Sequence, residues 1–256
     1  MDNYLLIKSQ SRNPTLSLSS SNFTILLNDK VMLLGRKQLC LVNFIGYNTL
    51  YNIDSSNNKI DFYENLIVMP PATLASGFYN ANTLATEIGN ALTTASSGYN
   101  TYTVTYSTLT NKYTVSAGNN FKLLFSSGNN ASVSPWKVMG FSNSNGTSGI
   151  DTTLGTSATG NDVVNLTLPL SFYIQINSFG ASNFKSTDGD TFTFYVPSVA
   201  SNGEIIEYRS GGYFEQWINI PSNINVIERI NVVLRGRDGK DLNLNGSEFE
   251  MVLAIK

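Results

Sequence analysis

The sequence predicts an all-β chain of the antiparallel sandwich type that carries a small inserted α+β subdomain. Three observations lead there. Short β-branched and aromatic runs, many alternating with polar residues, recur along most of the chain. Gly, Asn, Asp, Ser and Pro punctuate them as turns do. A single segment has helical spacing, and a hairpin pattern follows it at once.

Taken in order, strands are expected over residues 22–27, 38–51, 101–106, 112–116, 121–125, 168–177, 191–196, 203–208, 224–234 and 248–255. Between them, Leu84, Ala85, Ile88, Ala91 and Leu92 follow the three-four spacing of one helical face, with Asn80 or Asn82 placed to cap it, so a helix is expected over about 83–94. Tyr102-Thr103-Val104-Thr105-Tyr106 and Lys112-Tyr113-Thr114-Val115-Ser116 alternate in step around a five-residue turn, and 121–125 adds a third strand. Leu84, Ile88 and Leu92 should face that sheet. The expected organisation is therefore a main domain of residues 1–59 and 161–256, an insertion over 60–141, and a Ser/Gly/Asn-rich linker over 142–160 that is too polar to hold a fold alone. No period of twenty to fifty residues recurs, which disfavours a propeller or solenoid.

A chain of 256 residues buries roughly three quarters of its unfolded surface and needs no staple. Its one cysteine, Cys40, lies in the apolar run Leu39-Cys40-Leu41-Val42 and reads as a buried small hydrophobe rather than a reactive thiol. No segment approaches the ~20 apolar residues of a membrane span, and Met1-Asp2-Asn3-Tyr4 lacks the basic start of a leader, so a soluble chain made in a reducing compartment is expected. Asn22-Phe23-Thr24 and Asn165-Leu166-Thr167 match the glycosylation pattern, as chance allows in so Asn- and Thr-rich a sequence. Charged residues are only 13% of the chain and the net charge is −2, which favours self-association and gives no basic face for nucleic acid. Aromatics, at 11%, supply contact area for interfaces.

Histidine is absent, which removes Ser-His-Asp and Cys-His catalysis and, with one cysteine, nearly removes zinc. No catalytic, cofactor-binding or metal residues are assigned. The carboxylate pairs Glu204 with Glu207 and Glu248 with Glu250 are the nearest approach to a glycosidase couple, but the second pair brackets Phe249 as in any half-exposed strand. Asp188-Gly189-Asp190 and Asp238-Gly239-Lys240-Asp241 read as turns before calcium loops, since neither has the twelve-residue ligand spacing. Gly35-Arg36-Lys37 and Arg235-Gly236-Arg237 read as solvated turns. Two aromatic sets, Phe172-Tyr173 with Phe192, Phe194 and Tyr195, and Tyr213-Phe214-Trp217, should fill the core with alternate members. The off-phase ones, Tyr173 and Phe192 or Phe194 by register, are expected outside as subunit anchors.

The order of motifs carries a resemblance. Phe23-Thr24-Ile25-Leu26-Leu27 is followed by Tyr51-Asn52-Ile53, Asn58-Lys59-Ile60-Asp61-Phe62, Met69-Pro70-Pro71, Ser76-Gly77-Phe78-Tyr79 before the helix, the hairpin, and Trp136-Lys137-Val138-Met139-Gly140-Phe141. Ile230-Asn231-Val232-Val233-Leu234, the Arg237-Asp238-Gly239 turn and Phe249-Glu250-Met251-Val252-Leu253 close the chain. This series resembles the minor capsid, or penton, proteins of virophages and polinton-like double-stranded DNA viruses. The resemblance implies a single jelly roll that forms a homopentamer at the icosahedral five-fold vertex, among trimers of the major capsid protein, with the insertion outward towards a host receptor or fibre. It implies a non-enzymatic virion protein synthesised in the host cytoplasm. Only about twenty residues precede the first expected strand, so an inward arm would be brief. The rival is a trimeric jelly-roll spike or carbohydrate-binding module, since jelly rolls also serve as lectins.

Overall fold

The computed structural model describes residues 3–35, 38–65, 67–168, 170–179, 184–185, 191–211, 215–236 and 239–256. In chain order the elements begin with β1 (Asn3–Lys8), β2 (Asn22–Met32) and β3 (Gln38–Tyr47). Next come β4 (Lys59–Ile60), β5 (Phe62–Glu64), β6 (Ile67–Val68), β7 (Ala72–Thr73), α1 (Ala81–Ala95), β8 (Tyr102–Ser107), β9 (Lys112–Leu123), α2 (Trp136–Met139) and β10 (Gly155–Thr159). The last are β11 (Ser171–Ile176), β12 (Phe184–Lys185), β13 (Thr191–Phe192), β14 (Phe194–Pro197), β15 (Ile205–Arg209), β16 (Trp217–Asn219), β17 (Val226–Arg235) and β18 (Phe249–Ile255). Two compact units result, Met1–Leu50 with Pro169–Lys256, and Tyr51–Leu168.

The first unit is a jelly roll. One sheet has the order β1-β18-β3-β15, with β16 also on β3, and the other the order β14-β11-β17-β2, all pairs antiparallel. Of its eight principal strands, the first, third, sixth and eighth in chain order build one sheet. The second, fourth, fifth and seventh build the other, which is the double Greek key of a jelly roll. The period-two pattern selects the inner faces: in β11, Phe172, Ile174 and Ile176 are buried while Tyr173 and Gln175 are half-buried. Four phenylalanines drawn from both sheets interlock at the centre. Phe249 contacts Phe23 at 5.7 Å and stacks on Phe44 at 5.0 Å between ring centroids, and Phe44 meets Phe172 edge-on at 5.1 Å. Each such ring contributes about 1.5–3 kcal/mol by leaving water. Gly46 makes the stack possible, because a Cβ there would lie 3.0 Å from Phe249 Cβ and 3.3 Å from the Phe44 ring.

In the second unit β9 is the spine, with β8 and β10 on its first half and β5 on its second, and β6 beyond β5. The hairpin register sets Val104 against Val115 and Tyr106 against Tyr113. Asn80 caps α1 by accepting from Asn82 N and Thr83 N, while Thr83 Oγ1 accepts from Asn80 N, a complete capping box. Leu84, Ile88 and Leu92 are fully buried in this unit's core with Tyr113, Phe121 and Phe141. At Gly89 a Cβ would sit 3.2 Å from Tyr102 O, so the missing side chain lets the helix lie close on β8.

The structure departs from the sequence expectation at several points. β1 is a full partner of β18 where a short tail was expected. The strand expected over 38–51 stops at Tyr47, where Asn48 turns the chain by donating to Ala200 O and accepting from Leu50 N. The separate strands 112–116 and 121–125 are one strand, since the intervening Asn119 stays extended with its N–H on Asn100 Oδ1. Segment 142–160 is not bare linker: Gly155–Thr159 is a strand on β9, and Asp151 binds Ser126 and Ser127. It is ordered by hydrogen bonds rather than by apolar burial, which a hydrophobicity argument does not register.

Candidate assembly surfaces

The carboxylates singled out by sequence are each held by a local partner. Glu204 accepts from Ser201 N at 2.9 Å and Glu207 pairs with Arg209 at 2.5 Å. Glu248 pairs with Arg12 at 2.5 Å and accepts from the Ser9 hydroxyl, while Glu250 pairs with Lys8 at 3.3 Å. The Asp188-Gly189-Asp190 segment lies outside the described residues, as do Arg36, Lys37, Arg237 and Asp238. Gly239 adopts φ 74° and donates to Gly236 O, and Asp241 accepts from Asn22 and pairs with Arg235. Among the described residues no three His, Cys, Asp or Glu side chains cluster as metal ligands. Cys40 is buried, and burial pushes its thiol up from the ordinary value. No helix among the described residues is long and apolar enough to cross a membrane.

The aromatic sets divide by register. Because Ile174 faces Phe194 across β11 and β14, Phe194 points inward and is fully buried, so the register removes Phe194 from the two alternatives for an outward anchor. Tyr173, expected outside, is half-buried and pairs with Tyr195, their centroids 6.1 Å apart. Trp217 lies under Lys256 Nζ at 3.6 Å and donates from Nε1 to Glu215 at 2.7 Å. Tyr213, Phe214 and the side chain of Phe192 lie outside the described residues.

The larger exposed apolar surface lies elsewhere, on the outer face of the β1-β18-β3-β15 sheet. Register places Lys8, Glu250, Ile45 and Glu207 in one row and Leu6, Val252, Asn43 and Arg209 in the next, with Tyr47 and Ile205 facing each other a row beyond. Tyr4, Leu6, Ile45, Tyr47 and Ile205 are all exposed there, Tyr4 to 66%. The charges among them are mutually paired, Lys8 with Glu250 and Arg209 with Glu207, so the face carries apolar area without a local excess of either sign. A groove of about 240 Å³ runs between Ile45, Tyr47 and Ile205 on one side and Lys8, Glu248 and Glu250 on the other. Along β2, Leu26 and Met32 are exposed on either side of the exposed Asn28, Asp29 and Lys30, with Leu16 and Leu18 exposed in the loop before the strand and Leu34 in the loop after it. Lys30 and Glu228 pair on this flank. Sequence reasoning missed the outer sheet face because it took the first twenty residues for a tail and because exposure on a strand is decided by register.

No family model matches the chain, and no curated protein matches it in sequence. In structure it is similar to the crystal structure of the selenomethionine-labelled mavirus penton protein, with a TM-score of 0.52 and 10% sequence identity over 100% of this chain and 99% of that one. A likeness at that identity speaks for architecture: this chain has a penton-like jelly-roll fold, matched from end to end.

Proposed function

We propose that this chain is a structural virion protein of the penton type, a minor capsid protein whose homopentamer closes icosahedral five-fold vertices and abuts the major capsid protein. The observation that carries the reading is the end-to-end likeness to the mavirus penton protein, since it takes in the inserted unit as well as the jelly roll. Sparse charge, exposed apolar sheet surface and the absence of histidine agree with a protein that works by assembly rather than by catalysis. Light scattering of the purified chain, followed by particle averaging, tests it: the expected result is a closed five-fold ring that also joins shells co-expressed with the major capsid protein. A trimer that binds glycans and enters no shell would replace this reading by that of a spike or lectin.

A further inference from the structure

The chain holds three Asn-Gly dipeptides, Asn145-Gly146, Asn202-Gly203 and Asn245-Gly246. We propose that the first is a site of spontaneous covalent modification, at which Asn145 converts to aspartate and isoaspartate while the fold slows the other two. The site is reactive in a single copy, whatever the chain assembles into.

Conversion at an Asn-Gly pair needs no enzyme. The main-chain nitrogen of the glycine bonds to the asparagine Cγ, its proton passes to solvent, and the side-chain nitrogen takes up a proton and leaves as ammonia. The succinimide so formed takes up one water. Opening at the side-chain carbonyl gives aspartate, and opening at the main-chain carbonyl gives isoaspartate. Nothing is oxidised or reduced, and water is the one co-reactant. Glycine permits the attack because no Cβ shields its nitrogen. A methyl group at Gly146, Gly203 or Gly246 would meet nothing within 4 Å, so crowding does not rank the three sites.

Hydrogen bonds rank them. Asn202 Nδ2 donates to Leu50 O at 3.0 Å and Gly203 N to Asn48 O at 2.7 Å, so both reacting groups are tied to a stretch of chain distant in sequence. Asn245 Nδ2 donates to Thr49 O in the same stretch at 2.6 Å, and its main chain holds φ 50°. Asn145 is exposed, and among the described residues its side-chain amide has no hydrogen-bond partner. The tie at this site is Gly146 N to Asn143 O at 2.9 Å, within one short tip. The Ser142–Gly149 bridge closes that tip, and Asn143 Oδ1 accepts from Thr147 N at 2.9 Å inside it. Bonds between near neighbours at an exposed tip open without disturbing the rest of the unit, whereas those of Asn202 and Asn245 open only when distant segments part. Residues 138–150 hold no charged side chain, so conversion places the first one there.

Peptide mapping by mass spectrometry reads the conversion after the full, folded chain is kept in mildly alkaline buffer. Asn145 should convert roughly tenfold faster than Asn202 and Asn245, because long-range hydrogen bonds must break before those two can react. In concentrated urea, where the fold is gone, the three rates should draw together. On isoelectric focusing the folded chain should gain acidic forms with time, and Asn145→Gln should lose that early gain. Equal rates at the three sites in the folded chain, or a faster Asn202 or Asn245, would overturn the assignment. So would an order that persists in urea, since sequence would then set it, or acidic forms that arise as early in Asn145→Gln.

Discussion

The side-chain amide of Gln216 takes up both backbone polar groups of Tyr195: Oε1 accepts from its N–H at 2.6 Å and Nε2 donates to its carbonyl at 2.7 Å. Gln216 is fully buried and also donates to Tyr208 Oη at 3.0 Å. Tyr195 belongs to the edge strand β14 of one sheet, and Gln216 directly precedes β16 of the other, so one amide both joins the sheets and closes an edge. Gln216→Leu keeps the volume and strands these groups. It should lower the unfolding free energy by about 2–4 kcal/mol in urea titration and raise the tendency to aggregate; an unchanged midpoint would mean that water satisfies the edge equally well.

A second buried polar cluster holds the inserted unit. Glu64 is fully buried and accepts from Tyr102 Oη at 2.6 Å, Ser96 Oγ at 2.9 Å and Asn100 Nδ2 at 3.0 Å. These donors come from the end of α1, the loop after it and β8, so the carboxylate fixes where the helix ends against the sheet. Tyr102→Phe removes one donor to a charged acceptor and should cost about 1.5–3 kcal/mol, read as faster amide exchange in residues 81–107 than in the jelly-roll strands.

The same tyrosine gives the chain an alkaline limit. Burial, and then the Glu64 hydrogen bond and charge, raise Tyr102 far above its ordinary 10.0; burial, and then Tyr106, raise Tyr113 in the same direction. A group whose folded pKa is raised supports the fold fully below its unfolded pKa and loses that support as pH climbs towards the folded one. Stability should therefore hold to about pH 10 and then fall by about 1.4 kcal/mol per pH unit for each of the two. Absorbance at about 295 nm should show both phenols ionising only with unfolding. Ionisation of all the tyrosines before any loss of circular dichroism would contradict the buried placement.

How much of this was legible in sequence depends on which force fixes each element. Helix α1 could be read because Asn80 and the Leu84, Ile88, Leu92 stripe state both its start and its buried face. The hairpin was legible from its alternation. Strand β10 was not, since Gly155-Thr156-Ser157-Ala158-Thr159 is held by backbone pairing to β9 and has no apolar stripe. Strand β1 was missed because Tyr4-Leu5-Leu6-Ile7 is apolar without alternation, and its outward Tyr4 and Leu6 are sorted from Ile7 only by pairing with β18. The candidate surface inherits that difficulty. Ile45, Tyr47 and Ile205 are ordinary strand residues in sequence, and only the β3–β15 register gathers them on one face.

Asp151 sets an acid limit on the inserted unit. Burial works against its charge, but the Ser127 hydroxyl, the Ser126 amide and hydroxyl and the Ser127 amide together outweigh it and hold the carboxyl well below its ordinary 3.8. Lys122 stands 3.5 Å away. A depressed folded pKa gives support that is present above the unfolded value and is lost as pH falls below it. Asp151→Asn should be less stable than the unaltered chain at neutral pH, and its stability should fall less steeply below about pH 4. Parallel acid curves for the two proteins would show that the Ser126 and Ser127 bonds do not depend on the charge.

Gly140 offers the sharpest steric test, since it ends α2 with φ 78° and a Cβ there would lie 2.4 Å from Asp162 O. The Gly140 carbonyl also accepts from Asp162 N at 2.9 Å, so the two stretches of chain are drawn together where a side chain would part them. Gly146 has a similar φ of 64° with nothing within 4 Å of an added methyl, and it supplies the control for backbone strain alone. Gly146→Ala should cost about 1 kcal/mol, whereas Gly140→Ala should cost about 2–4 kcal/mol because strain and collision add. Thermal melts of the two variants separate these causes. Equal losses would mean that the 162 segment yields freely, and that the close approach at Gly140 follows from the turn instead of holding it.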